Sequence, residues 1–310
     1  MLDVTRLRVL VAVARHGSVT AAARALNYAQ PSVSHHIARL EAETGAQLLQ
    51  RAGRGVRLTD AGRLLAERAA EIIGRLDAAE NELAAHVGLR EGRVRLASFP
   101  SALGTLVPIA AARLEAQSPG MDLTLAEAEP PDALRMLRAG YVDVALVFRH
   151  SQQGADPGPP AGEAGARARL LLDEPVHLVT PMPAGGAAAG PAPGPPDLSA
   201  HAKRRWIAGC ERCRGYLLRQ CALAGFTPRI AFTTDDFVAV QALVAAGLGI
   251  AALPDLCLRA TRHPGIHAAA LPGARRHVFA MTYGEPPDPP ATTRLIDALA
   301  HAAEAETAAG

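Results

Sequence analysis

Residues 18 to 42, SVTAAARALNYAQPSVSHHIARLEA, read as two short helices joined by a tight turn. Ser18 is placed to cap the first helix by accepting a backbone N–H. Ala21, Ala22, Ala25 and Leu26 supply a face of small residues that lets a second helix approach closely. The second helix opens on Gln30-Pro31-Ser32, where the missing N–H of proline costs nothing, and Val33, Ile37 and Leu40 form its buried stripe. Gln30, Pro31, Ser32, Ser34, His35 and Arg39 are left facing outward. A helix with hydrogen-bonding groups in its first turns and apolar residues behind them can enter a DNA major groove and read base edges. A plain helical hairpin with a solvated face is the alternative, and the flanking residues bear on the choice.

Gly45 can end the second helix in a left-handed conformation. The following AQLLQRAGRGVRLTDAG reads as a strand, a tip carrying Gly53, Arg54 and Gly55, and a returning strand. Such a wing displays Arg51, Arg54 and Arg57. Residues 1 to 58 hold eight arginines against three acids (Asp3, Glu41 and Glu43), whereas the rest of the chain has 24 basic and 27 acidic residues. The whole chain carries only +2, so positive charge is concentrated in the segment that would meet phosphates.

Beyond the wing, Asp60 to Val87 runs without proline, and Leu65, Ala69, Ile72, Leu76, Ala79 and Leu83 repeat at steps of four and three. The core of the preceding segment reads as complete by residue 58, so this stripe is expected to meet a partner helix and make a homodimer. The alternative is a single amphipathic helix lying on its own domain. A two-fold pair of reading helices would match a palindromic site. With 310 residues and 49% hydrophobic content the chain has material for two or three cores. The apolar stretch Leu7 to Ala14 is too short to span a membrane, and no cleavage pattern follows it. Four cysteines without an export signal point to a reducing, cytoplasmic setting instead of a disulfide framework.

From Arg93 the pattern alternates. RVRLASF, MDLTLAEAE and YVDVALVF read as strands separated by helices over Ala102 to Gln117 and Pro131 to Ala139, the grammar of an open α/β sheet. Two Pro-, Gly- and Ala-rich interruptions, HSQQGADPGPPAGEAGARA and PMPAGGAAAGPAPGPPD, read as surface loops. A second alternating unit has strands at Arg169 to Leu172, Pro175 to Thr180, Trp206 to Ala208, Arg229 to Thr233 and Gly249 to Leu253. Its helices fall near Gly215 to Leu223 and Phe237 to Ala246. HVFAMTY and a last helix from Thr292 to about Glu304 return to the first unit, so two α/β lobes joined by two crossovers should enclose a cleft.

The segment LRVLVAVARHGSVTAAARALNYAQPSVSHHIARLEAETGAQLLQRAGRGVRLTDAG resembles the DNA-binding region of the LysR-type transcriptional regulators. GS-x-T-x-AA, xQPxVS at the start of the recognition helix, LE-x-x-x-G, an R-x-x-R wing and LT-x-AG all occur in register. Ala29 stands where serine is common, and Leu49-Gln50 replaces the usual Leu-Phe. Downstream, the strand order and AAGLGIAALP are similar to the family's effector-binding domain. The resemblance implies an α/β chain: a winged helix-turn-helix domain at 1–59, a linker and dimerisation helix at 60–90, and a periplasmic-binding-protein-like domain at 91–310. Within the last, lobe I would take about 91–165 and 268–310, and lobe II about 166–267. It implies a transcription regulator that binds double-stranded DNA through Gln30, Pro31, Ser32, Ser34, His35 and Arg54, with Thr20 on the backbone and Arg51 beside it on the wing. A homodimer, commonly built into a homotetramer, would go with this, and a small-molecule effector in the cleft would be the only ligand besides DNA.

By the same resemblance the effector would meet Phe148, Arg149, Gly209, Cys210 and Thr233 or Thr234, the arginine suiting an acidic metabolite. Ser98 and Ser101 join them on their own chemistry, because exposed N–H groups at a strand-to-helix turn favour an anion. Simple capping of that helix is the alternative. Gly209-Cys210-Glu211-Arg212-Cys213 places a CxxC at a helix start, where the dipole and Arg212 or Arg214 favour thiolate. Redox or metal sensing through Cys210 and Cys213 therefore stands beside plain packing, although no second CxxC or histidine pair completes a zinc site. No Gly-rich phosphate loop, G-x-S-x-G elbow or HExxH motif points to an enzyme. A solute-binding protein could share the two lobes but would leave residues 1 to 88 unexplained.

Overall fold

The computed structural model describes residues 2–52, 55–86, 92–152, 165–183 and 196–308. It opens with α1 (Val4–His16), α2 (Val19–Ala25) and α3 (Gln30–Thr44), followed by the wing strands β1 (Leu49–Ala52) and β2 (Gly55–Leu58) and the long α4 (Asp60–His86). The Ser18 hydroxyl accepts from the Ala21 N–H at 3.0 Å, and Gly17 and Gly45 end α1 and α3 at φ +67°, a conformation that costs glycine no Cβ clash. Val33, Ile37 and Leu40 are buried as expected. On α2 the packing face is Val19, Ala22, Ala23 and Leu26, and Ala25 is exposed. The correction follows from helical phase: positions i, i+3, i+4 and i+7 share a face, and α2 starts at Val19. Glu41 ties α3 to the wing by accepting from the Leu48 and Leu49 N–H groups at 2.7 and 3.1 Å. A Cβ at Gly62 would overlap the Leu48 carbonyl.

The first core is not complete by residue 58. Ala66, Ala69 and Ile73 of α4 are buried in it together with Leu7, Leu10 and Val13 of α1. The expected heptad stripe therefore splits: Leu65 and Ala69 serve their own domain, whereas Ile72, Leu76 and Leu83 are 48%, 39% and 64% exposed. Farther along, α4 rests on the next domain at Gly74, where a Cβ would overlap Ala139 and Gly140. Glu71 pairs with Arg138 at 3.1 Å, and Arg75 lies over the Tyr283 ring at 5.0 Å.

The remaining elements are β3 (Arg93–Ser98), α5 (Pro100–Leu103), α6 (Leu106–Gln117), β4 (Asp122–Glu127), α7 (Pro130–Arg138), β5 (Val144–Gln152) and β6 (Ala166–Pro181). Then come β7 (Arg205–Ala208), α8 (Glu211–Leu223), β8 (Arg229–Thr233), α9 (Phe237–Ala245), β9 (Ile250–Pro254), α10 (Asp255–Ala260), β10 (Ile266–Tyr283) and α11 (Pro290–Ala308). One mixed sheet runs β4-β3-β5-β10-β6-β9-β7-β8. The long antiparallel strands β6 and β10 serve both lobes: their outer halves pair in lobe I, Val278 opposite Leu172, and their inner halves in lobe II, Ala268 opposite Val179. The ladder is interrupted between Ala270 and Arg275. The chain thus passes between the two sets of pairings inside these strands, near 173–175 and 271–275, whereas the sequence reading puts the lobe bounds at about 166 and 268. Phe99, Leu106, Leu146, Val278 and Leu299 centre the core of lobe I, and Trp206, Leu217, Cys221 and Ile250 that of lobe II. Most of both Pro- and Gly-rich interruptions lies outside the described residues. Among the described residues no helix is long and apolar enough to cross a membrane.

Candidate functional site

The first turns of α3 show a sharp division. Gln30, Pro31, Ser32, Ser34, His35 and Arg39 are exposed, as is Thr20 on α2, while Val33, Ile37 and Leu40 behind them are at most 4% exposed. Pro31 in the first turn removes a donor that would have had no intrahelical partner. Gln30 donates to the Ser34 hydroxyl at 3.3 Å, a local bond that leaves both groups within reach of solvent. Arg51 and Arg57 are exposed on the wing, and Arg54 lies outside the described residues. This surface offers hydrogen-bonding side chains on a convex helix beside cationic strands, which suits a groove flanked by phosphates.

Between the lobes is a small cavity of about 50 Å³. Of the expected effector residues, Ser101, Phe148, Gly209, Cys210 and Thr234 line it; Ser98, Arg149 and Thr233 do not. The exclusions have a geometric cause for the strand residues. Successive side chains on β5 point to opposite faces, so Phe148 and Arg149 cannot both face the cleft. Ser98 is fully buried with its hydroxyl near the Phe99 carbonyl at 3.3 Å.

The cation that does reach the cavity is Arg276 of β10, which sequence reasoning missed. It is buried, donates through Nε to Glu174 directly across the β6–β10 ladder, and donates through Nη2 to the Ser101 hydroxyl at 3.0 Å. Its guanidinium lies 5.0 and 4.9 Å from the Phe99 and Phe148 ring centres. Glu174 also accepts from the Leu256 N–H at 2.7 Å. Burial pushes the Glu174 carboxyl up, and Arg276 and that N–H oppose the rise. The ion pair spans both crossover strands at the point where they change lobe. Because the Arg276 charge is already met by Glu174, the cavity does not present the free arginine expected for an acidic metabolite.

Glu129 was also missed. It lines the cavity, one of its carboxyl oxygens is buried without a hydrogen-bond partner, and burial raises its pKa. Cys210 is the N-cap of α8 and Cys213 stands in its first turn, with sulfurs 3.3 Å apart. The hydrogen bond with Cys213 holds the Cys210 thiol below its ordinary pKa, and the same bond together with burial drives Cys213 well above it. Cys257 of α10 also lines the cavity, but burial pushes its pKa up to about 12. Among the described residues no group of three or more His, Cys, Asp or Glu is arranged to hold a metal ion. The local signals for this architecture are the CxxC and the strand-to-helix turn at Ser101; Arg276 and Glu174 meet 102 residues apart in the chain and carry no motif.

Two consecutive parts of the chain match two family models. Residues 4–63 match the bacterial regulatory helix-turn-helix protein, lysR family, and residues 88–304 match the LysR substrate binding domain. The chain belongs to the LysR family of transcriptional regulators. As a LysR-type regulator it joins a DNA-binding helix-turn-helix domain to an effector-binding domain. It is 29% identical over 256 residues to the "Probable HTH-type transcriptional regulator LrrA" of Synechococcus elongatus, covering 82% of each chain. It is 30% identical over 290 residues to a "Probable hydrogen peroxide-inducible genes activator" of Streptomyces viridosporus, covering 91% of this chain and 88% of that one. The fold is that of the crystal structure of CbnR, a LysR family transcriptional regulator, with a TM-score of 0.66, 21% identity and coverage of 97% and 99% of the two chains.

Proposed function

We propose that this LysR-type regulator is a homodimer, built further into a homotetramer, that reads a two-fold site in double-stranded DNA and is switched by a small molecule between its lobes. The single observation that carries the DNA reading is the division of α3, whose first turns expose Gln30, Ser32, Ser34 and His35 over a fully buried Val33 and Leu40. These side chains contact base edges; Pro31 lies beside them, and Thr20, Arg51 and Arg54 hold the backbone. The exposed Ile72, Leu76 and Leu83 support pairing of α4 with a second copy. Residues 1–59, 60–90 and 91–310 divide the labour as reader, linker and sensor. Such a protein works in the cytoplasm, where its DNA is, and catalyses no turnover.

The cavity supports an effector site that changes shape. Organic ligands generally occupy about 300–1,000 Å³, several times the volume present, so a metabolite enters only if the lobes part about β6 and β10. Ser101, Phe148, Gly209, Cys210 and Thr234 would then be joined by Glu129 in meeting it. A salt titration of binding to DNA from the chain's own upstream region tests the regulator reading. Affinity should fall steeply with salt, and Arg51→Ala should reduce the logarithmic slope by about 1 while weakening all sequences alike. No retardation at low salt overturns the reading.

A further inference from the structure

Cys210 and Cys213 are an unequal pair in a place where their chemistry can be felt. Their sulfurs, 3.3 Å apart, need to approach by only about 1.3 Å to reach the disulfide length near 2.05 Å. Both thiols belong to lobe II, on α8 and its cap, yet both pack against the apolar core of lobe I. Cys210 lines the cavity and is hydrogen-bonded to Glu129, whose carboxylate opposes charge on the sulfur, while the Cys213 hydrogen bond and the α8 N-terminus favour it. The thiol pKa values differ in the useful sense, lowered at Cys210 and raised at Cys213. The remaining cysteines offer no such chemistry: Cys221 is buried with its pKa pushed up to about 11, and Cys257 to about 12. A cavity of about 50 Å³ admits molecules of the size of a few waters. An oxidant such as hydrogen peroxide fits it without parting the lobes, whereas an organic effector does not.

We propose that Cys210 and Cys213 form an oxidisable dithiol that hydrogen peroxide converts to a disulfide, altering the contact between the lobes and through it the affinity for DNA. Glu129 takes the Cys210 proton, and the thiolate attacks one peroxide oxygen. The S–O bond forms as the O–O bond breaks, and the departing hydroxide recovers the proton and leaves as water. Cys213 then attacks the Cys210 sulfur, forming the S–S bond and breaking S–O, and its proton departs with the oxygen as a second water. Two thiols and one peroxide give one disulfide and two waters, the thiols supplying both electrons. The last link, from lobe contact to DNA, rests on the regulator reading above; the thiol chemistry does not.

The full-length protein treated with a small excess of hydrogen peroxide should lose two of its four thiols and the mass of two hydrogen atoms, with Cys210 and Cys213 recovered in one linked peptide. Reduction should restore both. Cys213→Ser should stop at a sulfenic acid on Cys210 that a dimedone reagent traps, and Cys210→Ser should abolish the reaction. Cys221→Ser and Cys257→Ser should leave it intact, with thermal melts reporting that each variant folds. Four surviving thiols, or loss mapped to Cys221 or Cys257, overturns the dithiol. If the linked peptide forms but reduced and oxidised protein bind DNA within twofold of each other, the switch is wrong and the regulator reading stands. If neither form retards DNA, the regulator reading itself fails.

Discussion

The reading face and the inter-lobe cleft hold their polar groups in opposite ways. On α3 and the wing the groups are exposed, and their bonds are short-range, such as Gln30 to Ser34. In the cleft, Arg276, Glu174 and Ser101 are buried and bonded across 102 and 175 residues of chain. A surface that must meet a partner keeps its hydrogen-bonding capacity free, whereas a hinge spends that capacity on itself, because a buried charge without a partner is costly. Damage to the first should therefore appear in binding, and damage to the second in stability.

The largest expected effect tests the hinge. Arg276→Ala leaves Glu174 buried and unpaired and should cost about 3–5 kcal/mol of effector-domain stability, read from urea unfolding. A loss below about 1 kcal/mol would erase the contrast, since the pair would then be no more important than a surface contact.

A pH effect comes next. Burial, then the charges of Arg276 and Arg219, lower the pKa of His150 from 6.5 to about 3. His150 is stacked on Tyr216 at 4.4 Å where β5 meets α8. The unfolded chain takes up a proton below pH 6.5 that the folded chain refuses. Stability from this neutral histidine is therefore complete above pH 6.5 and declines toward pH 3, by about 1 kcal/mol per pH unit. His150→Gln should flatten that part of the profile between pH 6.5 and 5; equal slopes in wild type and variant would show that the lobe contact does not exclude the proton.

The junction between the two regions should respond more weakly. Gly74→Val would drive a side chain into Ala139 and Gly140, costing about 1–3 kcal/mol if α4 stays in place. Hydrogen exchange should rise in α4 and at 139–141 together, and unchanged protection there would mean that α4 does not bear on lobe I. Smallest in stability is Ser34→Ala, which should leave the melting free energy within about 0.5 kcal/mol. It should shift preference at one base position by about 1 kcal/mol, checked by selection from randomised DNA. Loss of folding instead would place Ser34 in the core and break the comparison from the other side.

The reading head was legible because its rules are local. The 3.6-residue period exposed Val33, Ile37 and Leu40, and Ser18 and Gly45 announced their caps. On α2 the alanine run blurs the phase: with Ser18 as cap, the face counted from Val19 takes in Ala22, Ala23 and Leu26 and leaves Ala25 outside. The cleft was legible only in part. Cys210 and Cys213 stood out by spacing, and the strand-to-helix turn pointed to Ser101. Arg149 was misplaced although strand alternation sets it opposite Phe148. No local pattern marked Glu129, and α10, which supplies the Leu256 N–H and Cys257, is too short to declare a period.

By itself the amino-acid sequence determined the family, the winged helix-turn-helix and the two alternating α/β units, because periodicity, capping and turn chemistry act over a few residues. Only the tertiary structure decided that α4 completes the first core and that the cleft is closed by Arg276 on Glu174. It also set the Cys210 and Cys213 sulfurs within 3.3 Å of each other against the opposite lobe. Those outcomes depend on which strands become neighbours and on the low polarity of the space between them, and both arise only when distant segments pack together.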